Sequence, residues 1–267
     1  MILKGKKALI VGIANERSIA WAIAKQFKAH GAELAFTYPN DAIKKRLDPL
    51  AQEIGSQIVL PCDVASDEEI KKLFADLKKH WTNFDILIHG AAFAQKDELS
   101  GGFLNTTREG FRVALDISAY SLIGLVKEAL PMLNQGGSVL TLSYYGSSKV
   151  VQNYNIMGVA KAALEASVRY LAWDLGSKGI RVNAISAGPI KTLAASGIRG
   201  FRSILESVGQ LSALKRNISA EEVGKSALYF ASDLSSGVTG EVHFVDGGFN
   251  TGALQMPPAA PNSPINS

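Results

Sequence analysis

The stretch KKALIVGIANERSIAWAIAKQFKAHG, residues 6–31, changes its hydrophobic period in mid-course. Residues 6–13 form a near-continuous apolar run of strand length, whereas SIAWAIAKQFKAHG repeats with helical period and ends on a glycine stop. A strand buried on both faces, passing through a small-residue turn into a helix, is the opening unit of an α/β fold with a parallel sheet. The turn, Gly12-Ile13-Ala14-Asn15-Glu16-Arg17-Ser18-Ile19-Ala20, suits an anion. Gly12 can take a positive φ and let a ligand approach the backbone, while a helix starting near Ser18 offers free N–H groups and its positive dipole end to a pyrophosphate. The spacing departs from G-x-G-x-x-G, because Ser18 and Ala20 stand where further glycines would fall. A tight turn with a serine cap is the alternative reading; the position after a first strand favours dinucleotide binding.

The same alternation runs along the chain. Residues 32–38, 57–64, 84–92, 137–144, 180–188 and 241–248 read as further strands buried on both faces, with helical periods between them, including one from Thr107 to Leu133. With right-handed crossovers, this predicts a single-domain, Rossmann-type doubly wound parallel sheet of about seven strands, with a ligand crevice at the carboxyl ends of the strands. The domain is expected over residues 1–252. The Pro-, Asn- and Ser-rich remainder, 253–267, is expected to be a mobile tail.

Composition narrows the function classes. A chain of 267 residues with 47% hydrophobic and 19% charged residues can bury a sizeable core. The single cysteine, Cys62, excludes an intramolecular disulfide and a zinc-thiolate cluster, and argues for a reducing compartment. His30, His80, His89 and His243 lack ligand-like spacing, so no metal site is expected. The net charge of +4 is mild, and runs such as DEEIKKLFADLKK mix both signs, as solvated helix faces do; no nucleic-acid partner is expected. The first apolar run is too short for a signal peptide or membrane span, so the expectation is a cytoplasmic protein without membrane attachment.

Two more strand ends carry cofactor signals. After the second strand, Asp41 either approaches a ribose or caps the next helix, and Lys44, Lys45 and Arg46 are either solvated or supply one contact to a 2′-phosphate. The cofactor reading is NADH, with NADPH left open. After the third, Cys62-Asp63-Val64 offers the Asp63 carboxylate to an adenine amino group or to a helix cap.

Chemistry concentrates in YYGSSKVVQNYNIMGVAK, residues 144–161, which contains two tyrosine-lysine pairs: Tyr145 with Lys149, four apart, and Tyr154 with Lys161, seven apart. Tyr144 and Tyr145 end a strand and run into a Gly-Ser-Ser turn, so the first pair does not fall within a helix.

Gly12 with Ser18-Ile19-Ala20, Cys62-Asp63-Val64, Tyr154-x6-Lys161, RVNAISAGPIKTLAASGI (181–198) and VDGG (245–248) together resemble the short-chain dehydrogenase/reductase superfamily. Within it they are similar to the bacterial enoyl-[acyl-carrier-protein] reductases, from residue 1 to about 252. The superfamily's usual Tyr-x3-Lys lysine precedes the Gly/Pro turn after strand six by one helix and one strand. Lys161 lies 27 residues before Gly188, which fits; Lys149 lies 39 before it, which is too many. Met157, four before Lys161, cannot act as an acid. Tyr154 lies near Lys161 in angle around a helix, and almost a turn further along, if the helix reaches it. A displaced hydroxyl suits an α,β-unsaturated thioester, where hydride lands on the β carbon and charge appears on an oxygen two carbons away.

The resemblance implies hydride transfer from NADH to C3 of a trans-2-enoyl thioester on an acyl carrier protein, the last reductive step of type II fatty acid elongation. It implies that Tyr154 donates to the enolate oxygen, that Lys161 holds the nicotinamide ribose, and that Tyr144 is a second site tyrosine. It further implies cofactor contacts at Gly12, Ser18, Ile19, Asp63, Val64, Ala91, Ile190, Thr192, Leu193 and Ala194, and a substrate contact at Ala94. Residues 196–216 fit a helical lid with Phe201, Ile204 and Leu205 inward and with Arg199 and Arg202 facing an acidic carrier protein. A homotetramer packed through the long helices is also implied. Two rival readings are a carbonyl reductase using Tyr145 and Lys149, and a catalytically silent nucleotide-binding protein.

Overall fold

In the computed structural model, residues 1–193, 195–198 and 200–252 are described. Seven strands, β1 (Lys7–Val11), β2 (Glu33–Tyr38), β3 (Ile58–Pro61), β4 (Phe84–His89), β5 (Leu133–Tyr144), β6 (Arg181–Ala187) and β7 (Val242–Val245), form one sheet in the order β3-β2-β1-β4-β5-β6-β7. Every pairing is parallel. All seven predicted strands are present. β1, β3, β4, β6 and β7 stop short of the predicted carboxyl ends, because those residues leave the sheet to build the loops above it, whereas β2 and β5 end as expected at Tyr38 and Tyr144. β5 begins early, at Leu133, and its register against β4 shifts between Phe84 and Ile86.

Strand periodicity divides the core. Leu9 and Val11 of β1 pack with Leu87, Val139 and Val182 on one face, under α3 (Asp67–Leu77), α5 (Ser121–Ala129) and α6 (Ile156–Gly176). Ala8 and Ile10 turn the other way, joining Phe36, Ile88, Leu140 and Ile185 under α1 (Ile19–Ala29), α2 (Asp41–Glu53) and α8 (Ala220–Ala231). Burial on both faces holds for the central strands but not for β3 and β7: at the sheet edges, none of their residues is fully buried. An edge strand has a neighbour on one side only, and the flanking helices cover the middle of the sheet.

The helix starts follow capping chemistry. Asn40, Ser66 and Thr107 each accept the N–H three residues ahead, and Ser219 with Glu222 forms a full capping box. The single helix expected after Thr107 is broken. It runs as α4 (Arg108–Leu115), a π turn over Asp116–Tyr120, and then α5. Two hydroxyls account for the break. Ser118 Oγ accepts from Phe93 N–H at 3.0 Å and donates to the Phe93 carbonyl at 3.2 Å, while Ser121 Oγ donates to the Ile117 carbonyl at 2.7 Å. The π turn thus anchors the loop after β4.

Candidate active site

The sheet order reverses between β1 and β4, the point at which a doubly wound sheet offers a ligand crevice at the carboxyl ends of its strands. Its floor is backbone. Gly12 has φ of +100°, and a Cβ there would lie 2.3 Å from the Gly90 carbonyl carbon. Only glycine lets the loop after β1 sit against the end of β4. Ser18 is the N-cap residue of α1, yet its hydroxyl accepts from Ala14 and Asn15 N–H groups at 3.0 and 3.1 Å rather than from the helix. The serine-cap reading therefore fails. The first-turn amides of Ile19 and Ala20, which have no intrahelical acceptor, point out of the helix end. A glycine floor that any side chain would fill, facing such amides, fits a dinucleotide pyrophosphate.

At the neighbouring strand ends the alternatives separate. Asp63 does not cap α3, since Ser66 does; its carboxylate accepts from Ala65 N–H at 3.0 Å and leaves Asp63 half-exposed at the crevice beside the buried Val64. Asp41 does not cap α2 either: Asn40 takes that place, and Asp41 is the first helical residue. Lys44 is tied to Asp48 at 2.6 Å and lies over the Tyr38 ring, whereas Lys45 and Arg46 are exposed.

The two tyrosine-lysine pairs lie in different surroundings. Tyr145–Ser147 is a 3-10 turn, and Lys149 is exposed. Tyr154 is buried, 8% exposed, and stands before α6 rather than on it, because that helix begins at Ile156. The helix expected to reach Tyr154 stops at a turn in which Asn153 and Asn155 both take left-handed backbone conformations, with φ of 63° and 41°. Asparagine tolerates this region better than other side chains do, and Asn155 Nδ2 donates to the Glu98 and Gly101 carbonyls at 3.2 and 3.4 Å. The turn lays the Tyr154 ring over Gly146, where a Cβ would come within 2.4 Å of Tyr154 Cδ1. Tyr144, at the end of β5, meets the same ring edge-on, with centroids 4.8 Å apart.

Lys161, 6% exposed, donates from Nζ to the Leu142 carbonyl at 2.7 Å. Burial lowers its pKa to about 8, opposed by the charge of Glu165. Burial pushes the Tyr154 hydroxyl well above the ordinary tyrosine range, with smaller contributions from Tyr144 and Glu165, and pushes Tyr144 up to about 12. Both hydroxyls therefore keep their protons at neutral pH.

A family model described as enoyl-(acyl carrier protein) reductase matches residues 12–250. The chain belongs to the enoyl-acyl carrier protein reductase family. The NADH-dependent enoyl-acyl carrier protein reductase FabI of Rickettsia typhi is 56% identical over 249 residues, which cover 93% of this chain and 95% of that one. Among solved structures, the NADH enoyl-acyl carrier protein reductase of Aquifex aeolicus aligns with a TM-score of 0.93 at 49% identity, covering 95% of this chain and all (100%) of that one. That of Anaplasma phagocytophilum, in complex with NAD, aligns at 0.92 with 48% identity, covering 96% and 98%.

On the substrate side of the reductase, Tyr154 belongs to a small apolar cluster of its own with Leu99, Met157 and Ala160, against which Tyr144, Ala94 and Ile198 pack. Leu99, Met157 and Ile198 are neighbours of Tyr154 that motif reading does not mark; the helical period identifies Met157 only as a packing residue. Ala91 packs instead against the core face under α5 and α6. After β6, the half-buried Ile190 accepts from Thr192 N–H at 2.8 Å, and the Thr192 hydroxyl accepts from Ala195 N–H at 3.1 Å, so this threonine organises its own loop. Leu193 is exposed at 45%; Ala194 and Arg199 lie outside the described residues. The segment expected to form a lid folds as a 3-10 turn (Ala195–Gly197) and α7 (Phe201–Leu211), with Leu205 and Val208 buried and Phe201 and Ile204 half-buried. Arg202 faces outward and pairs with Glu206 at 3.0 Å.

Proposed function

We propose that this reductase saturates the carbon-carbon double bond of trans-2-enoyl thioesters carried on acyl carrier protein, using NADH, with Tyr154, Lys161 and Tyr144 as its catalytic set. When bound, the dinucleotide supplies the hydride to C3 of the substrate. The chain's own residues then have separable tasks. The Gly12 floor and the amides of Ile19 and Ala20 hold the pyrophosphate; Asp63 and Val64 border the adenine; Ile190, Thr192 and Leu193 border the nicotinamide. Lys161 holds the ribose hydroxyls and brings positive potential to the crevice. Tyr154, a buried hydroxyl that keeps its proton, donates to the enolate oxygen as charge develops there. Tyr144, packed edge-on against it, fixes its ring and closes the wall beside Ala94.

The observation that carries this reading is the position of Tyr154 on the turn ahead of α6. It stands away from the place a carbonyl reductase's tyrosine occupies, yet within the same buried group as Tyr144. The test is oxidation of NADH and NADPH, side by side, with crotonyl and longer trans-2-enoyl thioesters. NADH oxidation is expected; activity on a ketone or aldehyde but not on the enoyl thioesters would overturn the reading, and cofactor binding without any turnover would favour the silent protein.

The carrier protein is acidic in this reading, and Arg202 with Arg199 on the lid would meet it. The site of action is the cytoplasm, in line with the lone buried cysteine; no helix among the described residues is long and apolar enough to cross a membrane. A homotetramer is supported by large apolar side chains left in the open on the long helices. Trp173 is 87% and Tyr170 is 76% exposed on α6, with Phe111, Tyr120 and Ile123 partly exposed on the helices before it. Light scattering after size exclusion is expected to give four chains, and a stable monomer would contradict this.

A further inference from the structure

We infer that Glu165 is a positioning residue of this site: through Ser143 it locks the carboxyl end of β5 to α6, one helical turn from Lys161. The inference rests on the role proposed above for Lys161.

Three consecutive residues of β5 meet the site, each in a different way. Leu142 accepts the Lys161 ammonium on its carbonyl at 2.7 Å. Ser143 is buried and donates its hydroxyl to the Glu165 carboxylate. Tyr144 contacts the Tyr154 ring. Strand alternation points Ser143 to the opposite face of the sheet from its two neighbours, towards α6. Glu165 is four residues after Lys161, so the two stand one turn apart on the same face of that helix. One carboxylate thus joins strand end and helix at the level where the ammonium and the Tyr144 ring must keep their relative places.

Charge gives the carboxylate a second task. Lys161 is under the full cost of burial, and the charge of Glu165 is what opposes it. The other titratable groups in reach are Tyr154 from the turn, interacting with Glu165, His89 from β4, interacting with Lys161, and Tyr144 from β5, interacting with Tyr154. Both tyrosines are held protonated. His89, hydrogen-bonded to the Thr141 and Ser121 hydroxyls at 2.8 Å each, is held neutral by burial with its pKa down to about 3. None of these supplies a negative charge at neutral pH, and the charge that opposes the burial of Lys161 is that of Glu165.

The experiment follows NADH binding to the unreacted enzyme by fluorescence from pH 6 to 9.5 in wild type, E165Q, E165D, S143A and K161M. Wild type is expected to lose affinity as the pH rises through about 8. E165Q is nearly isosteric and keeps an acceptor for Ser143; its alkaline limb is expected about one pH unit lower, so that at pH 8.5 it binds about tenfold more weakly than wild type while matching it at pH 6. E165D restores the limb towards the wild-type position. S143A, which breaks the tie but leaves the charge, keeps the limb in place and lowers kcat with an enoyl thioester. An E165Q limb superimposable on wild type would overturn the inference, as would an S143A limb displaced equally, which would mark a general packing defect. A limb that persists unchanged in K161M would overturn the proposed role of Lys161 along with it.

Discussion

Residues 145–149 and residues 154–161 each set a tyrosine ahead of a lysine, and they share almost nothing else. In the first, Tyr145 is half-buried on a 3-10 turn, edge-on to Phe249 at 5.4 Å, and Lys149 is exposed. In the second, tyrosine and lysine are both buried and hydrogen-bonded or ring-packed into the wall of the crevice. Spacing in sequence acquires chemical meaning only through the element that carries it. Burial then supplies the rest, by pulling an ammonium towards neutrality and fixing a phenol in its protonated form. The first pair is still not idle: its Gly146 is the seat on which Tyr154 rests.

The sharpest way to break this contrast is to remove the buried hydroxyl. Tyr154→Phe is expected to lower kcat on enoyl thioesters by about 10²–10³-fold, the loss typical of one preorganised donor to a developing oxyanion, with NADH affinity little changed. Lys161→Met, which removes the charged donor proposed to hold the ribose and strands the Leu142 carbonyl, is expected to raise the KM for NADH about 10–100-fold. Gly146→Ala addresses the link between the two regions. Its Cβ would force the Tyr154 ring off its seat, at about 1–3 kcal/mol in stability, read as a lower melting temperature together with a kcat reduced about tenfold. Raising the pH in wild type is expected to reduce kcat/KM for NADH above about pH 8, since Lys161 is cationic below that value and neutral above it; a profile flat to pH 10 would contradict this. Tyr145→Phe and Lys149→Ala are expected to change turnover by less than about twofold, as exposed or conservative substitutions do. If Tyr145→Phe abolished activity while Tyr154→Phe did not, the assignment of the two pairs would have to be exchanged.

Much of this architecture is legible in single residues. The period switch at Gly12 marks the first strand, loop and helix, and Asn40, Ser66, Thr107 and Ser219 mark helix starts through local hydrogen bonds that a few neighbouring residues determine. What is illegible depends on contacts between distant parts of the chain. Gly12 must be glycine because of Gly90, 78 residues away, and no local pattern announces that partner. The π turn after α4 arises because Ser118 bonds to Phe93, and the exposure of β7 follows from its place at the sheet edge. In the site, the 27-residue interval from Lys161 to Gly188 picks out the lysine, but the stop of α6 at Asn155 escapes helical periodicity, since a backbone in the left-handed region leaves no mark on the hydrophobic pattern. Glu165 escapes for a similar reason: a carboxylate on a helix looks like a solvated one until the strand serine that meets it is known.

The turn held by Asn153 and Asn155 also limits how this scaffold could be redirected. Placing a tyrosine at position 157 would write the literal Tyr-x3-Lys spacing, and it is a single substitution. Met157, however, is a packed residue of the Tyr154 cluster, its sulfur 3.7 Å from the Ser118 hydroxyl, and the left-handed turn just upstream would keep Tyr154 above it. Converting one chemistry into the other therefore requires rewinding the chain from Asn153 onward into helix and vacating the seat at Gly146 at the same time. Intermediate sequences along that route would carry two phenols competing for one cavity, which makes the passage between the two kinds of reductase a step change in backbone and not a drift of side chains.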